Sequence, residues 1–267
     1  MSFDIVRATV LALIQGLTEF LPVSSSAHLI LPSVLFGWPD QGLSFDTAVH
    51  LGTLCAVVLY FRAHLWQLAT GSLQALHTKR MTDEAQQVLL LALATLPVVL
   101  LGLLLKDYVE STFRSVKVIA TTTIVFGLLL WLADRRAQSA RLGMLNLSWK
   151  IALVIGCAQV LALLPGVSRS GVTMTVALFC GLNRIDAARF SFLLSIPVIA
   201  AAGALTVLEL LGASGVNWLE LGYGALVSAL CAYGCIHFFL RLIGSMGFLP
   251  FVIYRLLLGV ALWLWLV

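Results

Sequence analysis

Long apolar runs broken by short polar intervals set the plan of this 267-residue chain. Residues 4–21 read as an apolar helix that stops at Pro22, because proline disfavours helical geometry in the residue before it. Ser24 to Ser26 are good N-cap types for a second helix running to about Phe36. Pieces of about 18 and 11 residues fall short of the roughly 20 needed to cross a hydrocarbon core. A re-entrant hairpin is therefore expected here, followed by a turn at Gly37-Trp38-Pro39-Asp40-Gln41-Gly42. Next come a full span at about 45–66, a polar, partly amphipathic link at 70–86 and a second span at about 88–105. A short charged loop at 106–117 leads into a third span over 118–133. After the most polar linker, 134–141, an apolar helix runs to Leu164 and breaks at Pro165-Gly166. A short helix follows from about Gly171 to Cys180, with Gly181 and Asn183 as C-cap types. The last three spans are predicted at 187–211, 219–240 and 248–266.

The two halves share this plan. Aligning Gln15 with Gln159 gives an offset of 159 − 15 = 144, and the same offset pairs Leu17 with Leu161, Val23 with Val167, Ser24 with Ser168 and Ser26 with Ser170. Interrupted segments at corresponding places in two halves point to a binding site near the membrane midplane. The expected fold class is an all-α polytopic membrane protein of two inverted-topology repeats. Each repeat is a re-entrant helical hairpin plus three transmembrane helices, six spans in total. Repeat one covers about 1–134, the linker about 135–147 and repeat two about 148–267. Three spans per half is an odd number, so the second half inverts. One side then carries Arg7, Lys106, Arg114 and Lys117; the other carries Arg62, Lys79, Arg80, Arg135, Arg136, Arg141, Lys150, Arg184 and Arg241. The richer side should be cytoplasmic. Both termini and the mouth of the first hairpin are then expected on the outer face.

Composition agrees. The chain is 61% hydrophobic and 10% charged, where a soluble domain carries roughly 25% charged residues. It cannot cover its own surface in water. The net charge of +4 is scattered through loops, with no basic stripe interleaved with aromatics, which argues against nucleic-acid binding. Asp4 precedes Arg7 and no cleavage-site pattern follows a short apolar region, so no cleaved signal peptide is expected. Cys55, Cys157, Cys180, Cys231 and Cys235 lie in apolar stretches without metal-ligand partners and read as packing residues.

Chemistry gathers at the two breaks. Gln15 and Glu19 are four apart and share a helix face. A charge in lipid costs about 2.5–3.5 kcal/mol or more, so Glu19 is expected to face protein, water or a cation, in an acid–base or metal-ligand role. Ser24, Ser25 and Ser26 open a helix whose first N–H groups lack internal partners and attract anions. His28 follows as a candidate general base, general acid or nucleophile. At the second break Arg169 sits between Ser168 and Ser170, and its guanidinium suits phosphate oxygens. Arg255, about seven residues into the last span, is a further substrate-binding candidate, and Asp46 a weaker one. Acid, hydroxyls, imidazole and arginine around two helix N-termini describe a phosphoryl-transfer site. An anion transporter is the competing class, because broken helices in inverted repeats are also a transporter design.

Gln15-x-x-x-Glu19 followed by Pro22-Val-Ser-Ser-Ser-Ala-His28, with Pro165-Gly-Val-Ser-Arg-Ser-Gly-Val-Thr173, resembles the bacitracin-resistance family of undecaprenyl-diphosphatases. Phe251-Val-Ile-Tyr-Arg255 is similar to a family segment in the last span. The resemblance implies hydrolysis of undecaprenyl diphosphate to undecaprenyl phosphate and inorganic phosphate in a bacterial cytoplasmic membrane, from a site open to the outer face. It implies two inverted repeats, a divalent cation (Mg or Ca), and bacitracin resistance on overproduction. Carried over by motif, Glu19 would be acid–base or metal-associated, and Ser25 or Ser26 the nucleophile. His28 would stand beside that serine, with Arg169 on phosphate. Ser24, Ser168, Ser170, Thr173 and Arg255 would line the substrate site. Gln15 departs from members that carry Glu, which leaves it doubtful as a metal ligand; Ala27 stands where many have Gly. The partner is a polyprenyl diphosphate lipid, and a homodimer is compatible with the chain.

Overall fold

A computed structural model describes residues 4–113, 115–137, 142–212 and 216–266. Among them the elements are helical, apart from one isolated bridge between Leu142 and Leu182. In chain order they are α1 (Ile5–Thr18), α2 (Ser25–Phe36), α3 (Gly42–Tyr60), α4 (Arg62–Thr78), α5 (Asp83–Thr112) and α6 (Val116–Arg136). The second half supplies α7 (Trp149–Gln159), α8 (Arg169–Phe179), α9 (Arg184–Leu211), α10 (Trp218–Met246) and α11 (Leu249–Leu266). Short 3₁₀ turns stand at Met144–Asn146 and Val160–Leu163. Among the described residues six helices are long and apolar enough to cross a membrane: α3, α5, α6, α9, α10 and α11. The pairs α1/α2 and α7/α8 are the short pieces on either side of each break.

Several boundaries differ from the sequence reading. The first span ends at Tyr60, not near Trp66, because the chain turns where Arg62 donates its guanidinium N–H to the Leu59 carbonyl at 3.1 Å. Leu65 and Trp66 therefore belong to α4, a less apolar helix that replaces most of the expected link and ends at Lys79 in a left-handed cap. The backbone of α5 carries on through 106–112, where a loop was expected. Helix α8 opens two residues early, at Arg169. Gly181, at φ 95°, turns the chain after α8 as expected. Asn183 caps the following helix instead, accepting from the Asp186 N–H at 2.9 Å. Of the linker 134–141, residues 138–141, with Arg141, lie outside the described residues, as does Arg114 of the charged loop.

Packing crosses between the halves. Helix α10 lies against α1 and α3, α5 lies against α7 and α9, and α6 pairs with α11. Close approach depends on small residues, as membrane helices require. A Cβ at Gly52 of α3 would collide with the Ala225 backbone of α10, and one at Gly156 of α7 with the Ala94 backbone of α5. One end of the bundle is tied by Asp134. Its carboxylate accepts from Arg184 Nε and, at 3.2 Å, from the Phe248 N–H, which joins the ends of α6 and α9 to the α10–α11 turn.

Candidate active site

Both breaks adopt the same backbone. Ser24 has φ 75° and ψ 92°, and Ser168 has φ 71° and ψ 115°. A non-glycine residue at positive φ is strained and survives only where its surroundings overdetermine it. In each break the hydroxyl of this serine lies 3.2 Å from the one two residues on, Ser26 or Ser170. Ser168 also caps α8, accepting from the Gly171 N–H at 3.1 Å. Ser24 holds the N-cap position of α2 but makes no side-chain cap bond.

The two breaks touch. Ser170 Oγ donates to the Leu21 carbonyl at 2.8 Å. Arg255, fully buried, reaches both from α11. Its Nη1 donates to the Pro22 carbonyl at 3.0 Å and the Val167 carbonyl at 3.2 Å, its Nη2 to Gly166 at 2.9 Å, and its Nε to Thr123 at 3.2 Å. The Pro22, Gly166 and Val167 carbonyls are freed where the helices stop, while that of Thr123 belongs to the middle of α6. Arg255, read from the sequence as a substrate ligand, is thus strapped to the backbone of both breaks.

Glu19 is the hub of the polar cluster. Its Oε1 accepts from Arg169 Nη2 at 2.9 Å, and its Oε2 accepts from Ser25 Oγ at 2.8 Å and Gln15 Nε2 at 2.9 Å. Arg169 Nη1 is anchored on the Ser191 carbonyl at 2.9 Å. The Ser191 hydroxyl lies 2.7 Å from Thr173 Oγ1, which itself donates to the Arg169 carbonyl at 2.9 Å. A buried pair of this kind is held by its hydrogen bonds, and removing one partner costs about 3–5 kcal/mol. So Glu19, Ser25 and Arg169, three of the sequence candidates from two halves of the chain, are in direct contact.

His28 is turned elsewhere. Its Nδ1–H donates to the Ser24 carbonyl at 2.7 Å, which in the neutral ring leaves Nε2 to accept from the Tyr254 hydroxyl. The two rings are stacked with centroids 5.6 Å apart. No serine hydroxyl is among its hydrogen-bond partners here. Asp46 accepts from Gln41 Nε2 at 2.7 Å, and its carbonyl accepts from His50 Nδ1 at 2.6 Å. Sequence reasoning passed over Tyr254, Ser191 and His50, whose Nε2 stands 3.5 Å from Glu19 Oε2. Each is a polar residue inside a long, mostly apolar helix. A histidine within a span carries the same cost in lipid that singled out Glu19, and that was the signal available for His50.

Among the described residues no group of three or more His, Cys, Asp or Glu stands ready to hold a metal. The arrangement does provide a hydroxyl on a carboxylate, a carboxylate on a guanidinium, and two helix N-termini whose first residues, Ser25 and Arg169, meet on Glu19.

Known proteins match this chain nearly end to end. It is 57% identical to the undecaprenyl-diphosphatase of Saccharophagus degradans over 260 residues, 97% of each chain. It is 56% identical to that of Teredinibacter turnerae over 264 residues, covering 98% of this chain and 99% of the relative. Undecaprenyl-diphosphatase 1 of Pseudoalteromonas translucida is 53% identical over 260 residues, 97% of each. Residues 8–261 match the family model described as bacitracin resistance protein BacA, and the chain belongs to that family.

Proposed function

We propose that this multi-pass membrane protein hydrolyses undecaprenyl diphosphate to undecaprenyl phosphate and inorganic phosphate, recycling the lipid carrier for cell-wall synthesis and giving bacitracin resistance. The observation that carries the chemistry is the chain Ser25–Glu19–Arg169. A nucleophile within hydrogen-bond reach of a base, with that base oriented by a third group, is the recurring arrangement for covalent catalysis. Ser25 Oγ attacks the terminal phosphorus and its proton passes to Glu19. The bond from that phosphorus to the bridging oxygen breaks, and undecaprenyl phosphate leaves. Water then attacks the phosphoserine, releasing inorganic phosphate and restoring the hydroxyl. Arg169 and the first N–H groups of α2 and α8 bear the charge on the non-bridging oxygens.

The divalent cation implied by the family resemblance has a seat to offer in Glu19, beside the buried and unpartnered Oε1 of Gln15. When bound it would neutralise charge on the diphosphate. The apolar chain of the substrate needs its own path. A cavity of about 470 Å³, lined in part by Leu17, Leu21, Cys235, Phe238, Phe239 and Phe251, lies beside the first break and suits it.

We also infer the inverted-repeat architecture with re-entrant hairpins. Its support is the offset of 144, which pairs the strained Ser24 with Ser168 and the left-handed Gly37 with Gly181. The loop charges put the richer side in the cytoplasm, with the site facing outward from a bacterial cytoplasmic membrane. Purified protein given undecaprenyl diphosphate should release phosphate, and Ser25→Ala should lower kcat by at least about 10² while Ser26→Ala stays within tenfold. An acid-stable, alkali-labile phosphoenzyme should be trapped in the wild type. Full turnover by Ser25→Ala would sink attack by Ser25 and leave Ser26, His28 or water as the nucleophile.

A further inference from the structure

The end of the bundle tied by Asp134 carries more positive charge than its carboxylates answer. A cavity of about 550 Å³ opens there, lined in part by Asn183, Arg184, Ile185, Asp186, Arg189 and Gly244. Arg184 bonds Asp134 through Nε, and among the described residues neither of its Nη groups has an acceptor. Arg189 is half-exposed, with Asp186 3.9 Å away as its one ion-pair partner among the described residues. That carboxylate is already engaged, since its Oδ2 accepts from Asn183 Nδ2 at 2.9 Å and from the Met144 N–H at 3.3 Å. Arg241, exposed on α10, makes no ion pair among the described residues. Three guanidiniums thus stand against Asp134 and Asp186, with one positive charge in excess. The other arginines of this end, Arg135 and Arg136, lie over the rings of Trp131 and Phe179 instead.

Depth narrows what the excess charge is for. Asp134 holds both the start of α9, through Arg184, and the α10–α11 turn, through Phe248, so α9 leaves this end and α10 arrives at it. The two helices meet where a Cβ on Gly244 would lie 3.2 Å from Ile185 Cδ1. Arg189 is four residues along α9 from that contact, and Arg241 three residues along α10. Both therefore stand about one turn, roughly 5 Å, further toward the hydrocarbon. Arginines at such a level keep their stems in the apolar layer and their guanidiniums among phosphates.

We propose that this cavity, with Arg184, Arg189 and Arg241 around it, binds the headgroup of a monoanionic phospholipid such as phosphatidylglycerol. Basic pockets between membrane helices on the cytoplasmic side are suited to anionic headgroups, and the loop charges assign this end to the cytoplasm. Only the choice of leaflet rests on that orientation. The single excess charge matches the single negative charge of a phosphodiester. A zwitterionic headgroup brings its own cation and forfeits the match. Guanidinium forks suit phosphate oxygens, and a bound phosphodiester supplies the acceptors that the Arg184 Nη groups lack. It also bridges α9 to α10 through Arg189 and Arg241, at the end where Arg184 already joins α9 to α6. The lipid is then a clamp on the bundle, remote from the two breaks.

The test follows the unfolding temperature of the full chain in neutral detergent as phosphatidylglycerol, phosphatidylcholine or inorganic phosphate is added. Phosphatidylglycerol should raise it saturably, and the other two should not. Arg189→Gln combined with Arg241→Gln should weaken the apparent affinity for phosphatidylglycerol by about tenfold or more. Arg135→Gln combined with Arg136→Gln removes the same charge from the same end but not from the cavity. It should leave that affinity within about threefold. Equal stabilisation by phosphatidylcholine would mean general solvation by lipid, and stabilisation by inorganic phosphate alone a free-anion site. An equal loss in the two double variants would mean diffuse surface charge. Each of these three results overturns the proposal. Detergent has no leaflets and no readout involves hydrolysis, so an error in the orientation or in the proposed reaction leaves the outcome untouched.

Discussion

The two breaks share a backbone and divide the chemistry. Ser24 and Ser168 stand at the same positive φ, each with a serine hydroxyl 3.2 Å away, and a fully buried glutamine precedes each. At the offset of 144, however, Ser25 of the first break corresponds to Arg169 of the second, and Glu19 corresponds to Leu163. One break carries the hydroxyl and the carboxylate, the other the guanidinium. The difference has a physical reason. Repeating the first break would set two carboxylates together in an apolar interior with no counter-charge, and repeating the second would leave two guanidiniums with no base. Charges in lipid persist when they are paired. A near-symmetric scaffold therefore works here by holding unlike residues at like positions, and the Glu19–Arg169 bond at 2.9 Å is the seam where they meet.

Removing the charge of the second break should have the largest effect. Arg169→Ala is expected to lower kcat/KM by roughly 10³–10⁵, the range seen when a phosphoryl-transfer arginine is lost. Folded yield should fall as well, because Glu19 is left buried without its partner, at a cost of about 3–5 kcal/mol. Arg169→Lys should recover yield better than turnover, since a lysine can pair with Glu19 but cannot hold both the Ser191 carbonyl and phosphate as a planar fork does. Steady-state kinetics on monodisperse protein checks this. Arg169→Ala turnover within tenfold of wild type would mean that the second break is scaffold alone.

Arg255 tests what keeps the breaks together. Arg255→Lys retains the charge but has three donors in place of five. It cannot reach the Pro22, Gly166, Val167 and Thr123 carbonyls at once. Each buried carbonyl left without a donor costs about 1–3 kcal/mol. The expected outcome is a lower unfolding temperature in detergent, with turnover lost in proportion to folded protein and KM for the substrate little changed. A large rise in KM with no loss of stability would instead restore Arg255 to the substrate.

How much of this the sequence carried depends on range. Pro22 and Pro165-Gly166 marked both breaks, because proline and glycine act on the chain next to them. Hydropathy located all six spans, since burial in lipid is a property of each helix by itself, but it misplaced the ends of α3, α5 and α10, which stand at Tyr60, Thr112 and Met246. The candidates Glu19, Ser25 and Arg169 were legible because a charge or a serine run in an apolar segment is conspicuous. What the sequence could not carry was partnership. Ser191, Tyr254 and His50 reach the site from α9, α11 and α3, and only the packing of those helices around the breaks makes them neighbours of Arg169, His28 and Glu19. The same limit hid the strap: Arg255 looked like a phosphate ligand because its charge was visible and the freed carbonyls were not.

The smallest expected effect separates the two breaks most cleanly, because it touches the feature they share. Ser24→Gly and Ser168→Gly each relieve a positive φ that glycine adopts without penalty, where a non-glycine residue stores about 1–3 kcal/mol. Each also loosens the unfolded chain, at about 0.4–1 kcal/mol, and each removes one serine–serine contact. The difference lies in capping. Ser168 Oγ accepts from the Gly171 N–H, and replacing a capping serine by glycine costs about a few tenths of a kcal/mol. Ser24 makes no such bond. Ser24→Gly should therefore stabilise the protein by about 1 kcal/mol and Ser168→Gly by about a few tenths of a kcal/mol less, as read by thermal unfolding of the two variants side by side. Equal shifts would mean that the cap at α8 contributes nothing. A loss of stability in Ser24→Gly would mean that its hydroxyl, through Ser26, holds the first break more firmly than the backbone strain opposes it.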